Sequence, residues 1–293
     1  MADYHELREI RARNPERVAE AAAARRRRPL LGDRQLMIIA ADHPARGALG
    51  VGARPLAMGS RVELLDRLQV ALARPGVDGL LATPDVVEDL LLLGALDDRI
   101  VIGSMNRGGL HGAVFAFDDR FTAYDTATIS RMRLDGGKML CRIALGDPAT
   151  ASTLEACGRA ITELAGNGLV AMVEPFWSQP SGHDLSPEGM IRVINVAQGL
   201  GATSAYTWLK IPVVADMERV MEATTLPSLL LGGDPGDTPD LAFAAWRKAL
   251  RLPGVRGLVV GRALLYPPDD DVAAAVDTAV TMLGRADGDP ATP

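Results

Sequence analysis

Eight short apolar runs, each followed by a helical pattern, predict a (β/α)8 TIM barrel with an N-terminal helical extension. Strict alternation of strand-like runs and helices implies parallel strands joined by crossover helices. Eight repeats over roughly 250 residues exceed the usual five to seven strands of a doubly wound sheet and match a closed barrel. No linker rich in Gly, Ser or Pro interrupts the middle of the 293-residue chain, so one barrel domain is expected over residues 31–285. Residues 1–30 read as the helical extension and 286–293 as a disordered tail.

The elements follow in order. Residues 4–24 read as a helix interrupted at Asn14-Pro15, where Asn14 can cap and Pro15 suits a first turn. The strand-like runs fall at 36–41, 78–82, 100–105, 137–143, 168–174, 204–211, 227–232 and 257–261. Helical patterns occupy 60–73, 84–94, 121–134, 150–166, 186–200, 214–224, 239–252 and 270–284. Thr83-Pro84 and Ser186-Pro187-Glu188 each place a capping residue before a proline, a helix-start signal.

Composition narrows the function classes. The chain is 48% hydrophobic and 23% charged, which is globular, and its net charge of −6 argues against general nucleic-acid affinity. The one basic block, Arg25 to Arg28, reads as a solvated helix end whose cations suit the C-terminal dipole. Cys141 and Cys157 lack metal-ligand spacing, and His43, His111 and His183 are scattered, so neither metal nor cofactor is expected. No apolar stretch reaches 18 residues and the N-terminus is charged, so a cytoplasmic protein with no membrane partner is expected.

Of 31 basic side chains, three are lysines. Lys138 and Lys210 lie inside apolar, strand-like runs, whereas Lys248 lies on a helical stretch and reads as solvated. Arginine stays protonated, but a buried lysine can lose its proton and attack a carbonyl. Amine chemistry is therefore expected, at the C-terminal ends of the strands where such barrels carry their active sites. The candidates are Asp42 and His43 after the first strand, Lys138 and Arg142 on the fourth, Glu174 on the fifth and Lys210 on the sixth. Lys210 is the candidate nucleophile, because desolvation and a nearby cation (Lys138 or Arg142) favour a free amine. Glu174 is the candidate proton shuttle, with burial expected to raise it into a useful range, or else a salt-bridge partner of either lysine. Asp42 would orient the lysines or cap its turn. Gly232 and Gly233 after the seventh strand, and Gly261 and Arg262 after the eighth, are the candidate phosphate site, where glycines admit an anion to backbone N–H groups.

Together, Asp42, Lys138, Glu174, Lys210 and the Gly261-Arg262 pair resemble the pattern of the class I (Schiff-base) aldolase superfamily. That superfamily includes deoxyribose-phosphate, tagatose-bisphosphate and archaeal-type fructose-bisphosphate aldolases. The resemblance spans residues 36–265, and MVEPF and WLKIP are similar to motifs of the tagatose-bisphosphate branch. It implies Lys210 as the Schiff-base lysine, Glu174 as proton shuttle, Asp42 and Lys138 in support, and Gly261-Arg262 near a substrate phosphate. Deoxyribose-phosphate aldolases carry a second lysine on the seventh strand, and PSLLLGG has none. The loop Gly232-Gly233-Asp234 also departs from the glycine-serine loop of bisphosphate aldolases.

The chain also looks like actinobacterial barrel proteins associated with inositol or sugar catabolism, which implies a substrate such as 2-deoxy-5-keto-gluconate 6-phosphate. The expected activity is a metal-independent aldehyde-lyase acting on a phosphorylated keto-sugar or keto-acid sugar, working as a homo-oligomer. The alternatives are a barrel isomerase or lyase without an imine, and a non-catalytic sugar-phosphate-binding regulator.

Overall fold

The computed structural model describes residues 4–32, 34–106, 108–113, 117–179, 182–232 and 239–284. Gly233 and Asp234 of the expected phosphate loop, Arg107 and the expected tail 286–293 lie outside the described residues.

The expected (β/α)8 barrel is present. Its strands are β1 (Leu36–Ala41), β2 (Gly79–Ala82), β3 (Ile100–Ser104), β4 (Gly136–Ile143), β5 (Val170–Gln179), β6 (Thr207–Pro212), β7 (Ser228–Leu231) and β8 (Val255–Val260). Each pairs in parallel with the next, and β8 pairs with β1 to close the ring. Helices α3 (Arg61–Ala73), α4 (Pro84–Leu92), α5 (Thr126–Arg131), α6 (Ala149–Gly166), α7 (Pro187–Gln198), α8 (Met217–Met221), α9 (Pro239–Ala249), α10 (Arg262–Leu265) and α11 (Val272–Val280) follow the strands. Ahead of them, α1 (His5–Arg13) and α2 (Arg17–Ala24) are separated at the expected Asn14-Pro15 break.

Strand side chains alternate between two cores, as their two-residue period requires. Leu36, Ile38 and Ala40 of β1, Met172 of β5, Trp208 of β6 and Val259 of β8 fill the barrel interior. Met37, Ile39 and Ala41, with Val173, Leu209 and Val260, face the helices in the outer core. Cys141 and Cys157 are buried free thiols. Among the described residues, no helix is long and apolar enough to cross a membrane.

Local chemistry moved some boundaries. Asp125 caps α5 by accepting the Thr128 N–H at 2.7 Å, and Arg133 turns left-handed (φ 56°), so α5 is shorter than the 121–134 pattern. Ser186 caps α7 as expected, accepting the Gly189 N–H at 3.1 Å. Thr83 does not cap α4; its hydroxyl donates to Asp85 at 2.6 Å instead.

The reading of Arg25 to Arg28 as a solvated helix end is wrong. Helix α2 ends at Ala24, and the four arginines run across the N-terminal face of the barrel. Arg25 is buried, donating to the carbonyls of Arg99 (2.7 Å) and Arg133 and lying 3.3 Å from Asp135. Arg27 binds Asp135 at 2.8 Å and Arg28 binds Asp78 at 2.7 Å, while Arg26 meets Asp97 and Asp98 outside. Asp78 and Asp135 also accept the N–H groups of Met37 (2.7 Å) and Val101 (2.8 Å), fixing the starts of β1 and β3. Buried carboxylates require such partners, and the basic run supplies them.

Candidate active site

The strand period that builds the interior also builds the site. One inward step beyond Ala40 is Asp42, beyond Met172 is Glu174, and beyond Trp208 is Lys210. Lys138 points inward from β4 one step earlier, paired across to Met172. Ionisable groups thus replace apolar ones where the barrel opens at its C-terminal face. They line a cavity of about 270 Å³, near the lower end of ligand-pocket sizes and suited to a small metabolite.

Four of these residues form one chain of alternating charge. Lys210 Nζ lies 2.7 Å from Glu174 Oε1, Glu174 Oε2 lies 2.6 Å from Lys138 Nζ, and Lys138 Nζ lies 2.8 Å from Asp42 Oδ2. All four are under 9% exposed, so each charge depends on its neighbours. Burial alone would raise Glu174, but the ammonium groups of Lys138 and Lys210 hold it down to about 2. The expectation that burial would raise this carboxylate is therefore wrong: two cations outweigh desolvation. Asp42 is likewise held well below the usual carboxylate range, with Lys138 and Lys210 overcoming burial. Lys138 is raised, because Asp42 and Glu174 outweigh its desolvation.

His43, Gly232, Gly261 and Arg262 line the same cavity. His43 is lowered to about 4 by burial and by Arg262, Lys210 and Arg46, against the pull of Asp42, so its imidazole is neutral at pH 7. Arg142 stands apart from the cavity lining. Its guanidinium forks onto buried Asp119, with Nε at 2.9 Å, and lies over the Phe117 ring.

Among the lining residues not singled out as site candidates from sequence, Arg46, Phe176 and His183 bring charged or ring side chains. Arg46 ends a 3-10 turn, His43–Arg46, that follows β1. No ion pair or side-chain hydrogen bond holds its half-buried guanidinium among the described residues. Phe176 comes from β5, which runs five residues past Glu174, and His183 from the antiparallel return at Gly182–His183. The Phe176 and His183 rings stack with centroids 4.3 Å apart at 19°. The signal for Phe176 was its parity with Glu174. Nothing local marked Arg46 or His183.

Among the described residues, no three His, Cys, Asp or Glu side chains gather as a metal-ligand set. A buried row of lysines and carboxylates opening on a small cavity can form and protonate an imine.

The Cgl0159-like family model matches residues 34–280, which include every lining residue of the cavity. The chain belongs to the Cgl0159-like family. The solved structure of Cgl0159 from Corynebacterium glutamicum is 54% identical, covers 95% of this chain and 96% of that chain, and superposes with a TM-score of 0.92. An archaeal fructose-1,6-bisphosphate aldolase, solved with its catalytic lysine covalently bound to a carbinolamine intermediate, is 17% identical. It covers 84% of this chain and 94% of that chain, with a TM-score of 0.60. The fructose-bisphosphate aldolase from Slackia heliotrinireducens is 14% identical, covers 95% of this chain and 91% of that chain, and has a TM-score of 0.62. At such identities the aldolases share the barrel fold with the family. A search of the curated proteins finds no match.

Proposed function

We propose that this family member is a class I aldolase, an aldehyde-lyase in which Lys210 forms a Schiff base with a phosphorylated keto-sugar or keto-acid sugar. The observation that carries the reading is the buried Lys210–Glu174–Lys138–Asp42 row at the cavity floor. Proton transfer from Lys210 to Glu174 across 2.7 Å leaves a neutral amine facing the cavity and a carboxylic acid beside it. The amine adds to the substrate carbonyl, and Glu174 returns the proton to the departing hydroxyl as the carbinolamine loses water. The resulting iminium then accepts the electron pair of the bond between its neighbouring carbon and the next one, becoming an enamine, while the hydroxyl on that next carbon gives its proton to the regenerated Glu174 carboxylate and becomes the aldehyde carbonyl. Lys138 keeps a positive charge next to Glu174 throughout, and Asp42 holds Lys138 in place.

Binding follows the same geometry. Arg46 and Arg262 add positive charge to a lining in which the two lysines and two carboxylates cancel, which fits an anionic substrate. Gly232 and Gly261 offer close backbone approach for a phosphate, and His43 supplies a neutral hydrogen-bonding group.

Borohydride reduction in the presence of dihydroxyacetone phosphate is expected to leave a covalent adduct on Lys210, located by peptide mass spectrometry. Lys210→Ala is expected to abolish it. A wild-type protein that gives no adduct, or an adduct that persists in the variant, rejects the assignment.

A further inference from the structure

The row at the cavity floor leaves one chemical task without a group. Turning an iminium into an enamine requires a base at the carbon next to it. Both oxygens of Glu174 are engaged by lysines, at 2.7 and 2.6 Å. Asp42 binds Lys138 through one oxygen and faces His43 Nδ1 at 3.6 Å with the other. These groups serve the nitrogen and oxygen atoms of the reaction.

The β5 extension brings another group over the cavity. Beyond Glu174 the strand continues to Gln179, and the return pairs Ser178 with His183. The His183 ring is fixed on one side by stacking on Phe176 at 4.3 Å. Its Nδ1 lies 2.8 Å from Ser178 Oγ; that hydroxyl donates to the Phe176 carbonyl at 3.5 Å, so Oγ accepts from Nδ1–H and the ring lone pair falls on Nε2. With Nδ1 engaged, Nε2 is the ring nitrogen left to a ligand, and the ring lines the same cavity as Lys210 and Glu174. His183 is partly open to solvent; desolvation at the cavity mouth, with Arg142 and Arg46, lowers it against the pull of Glu174, which favours the basic, neutral imidazole at pH 7. His43, held to about 4, lies far below the pH at which a base transfers protons best.

Building on the Schiff-base reading, we propose that His183 is the acid–base residue that removes and returns the proton on the carbon adjacent to the Lys210 iminium. The Nε2 lone pair takes the C–H proton. The C–H electrons become the C=C bond of the enamine, and the C=N pair moves onto nitrogen, cancelling its charge. Reversal returns the proton from the imidazolium, so nothing else is consumed. Glu174 serves protons at nitrogen and oxygen, and His183 serves them at carbon.

The test follows dihydroxyacetone phosphate in D2O by NMR, reading deuterium entry at the hydroxymethyl carbon, alongside borohydride trapping. In His183→Asn, trapping on Lys210 is expected to stay within about twofold of wild type while exchange falls by about 10²-fold or more. Ser178→Ala, which removes the Nδ1 anchor together with a long 3.5 Å hydroxyl contact to the Phe176 carbonyl, is expected to slow exchange by several-fold, again with trapping preserved. Circular dichroism melting of each variant reports its fold. Exchange at the wild-type rate in a folded, trapping His183→Asn protein overturns the assignment and leaves the Lys210 reading standing. Absence of trapping in the wild type overturns both.

Discussion

Glu174 is the residue on which the site turns. It accepts two ammonium groups at once, and this doubled contact holds its carboxylate low. Glu174→Gln removes that charge and leaves Lys138 and Lys210 buried with only Asp42, bound to Lys138, to balance them. The expected cost is about 3 kcal/mol, the scale of breaking a buried pair, together with loss of trapping at Lys210. The pH dependence follows from the direction of each shift. A carboxylate with a lowered folded pKa stabilises the protein above its unfolded value, near 4, and this is lost as pH falls through the folded value. For Glu174 the loss runs from about pH 4 down to about 2. Lys138 has the opposite sign: its contribution is complete below the ordinary lysine range and is lost only above it. The melting temperature of the wild type is therefore expected to drop between pH 4 and pH 2, by less in Glu174→Gln. Equal drops in the two proteins would contradict the assignment.

At the scale of elements, strand parity made much of the site legible in advance. Asp42, Glu174 and Lys210 each continue an apolar strand by one inward step, and a lysine inside GGKMLCRI is conspicuous. Arg142 shares that parity but reaches Asp119, twenty-three residues away, and no pattern within β4 announces such a partner. The β5 return escaped notice because polar residues interrupt the alternation after Phe176. Closure of the barrel rests on a less visible requirement. Gly257 in β8 has φ 141° and sits opposite Leu36 of β1, where a Cβ would overlap the Leu36 backbone. Gly257→Ala combines backbone strain of about 1–3 kcal/mol with that overlap. A fall in melting temperature of more than about 4 °C is expected by differential scanning calorimetry. An unchanged melting temperature would show that the β8–β1 seam yields easily.

At the scale of the whole molecule, the two barrel faces divide the work. The C-terminal face carries the lysine row, and the N-terminal face carries Asp78 and Asp135 under the arginine strap. Composition could not reveal this, because the partners of the strap lie in the starts of β2 and β4. A chain lacking residues 1–28 would leave Asp135 buried without Arg25 and Arg27, whereas Asp78 would keep Arg34 at 2.9 Å. A destabilisation of about 3 kcal/mol or more is expected in urea titration. A truncated chain with an unshifted midpoint would show that the strap is dispensable.

The strap also imposes an order on synthesis. Arg25 and its carboxylate partner are separated by 110 positions in the chain. At ribosomal speeds of about 5–20 residues per second, the first two helices emerge roughly 5–20 s before Asp135 does. Over that interval four adjacent cations lack their most distant counter-charge. The arginine segment therefore cannot reach its native place until the first three strands and Asp135 have been made.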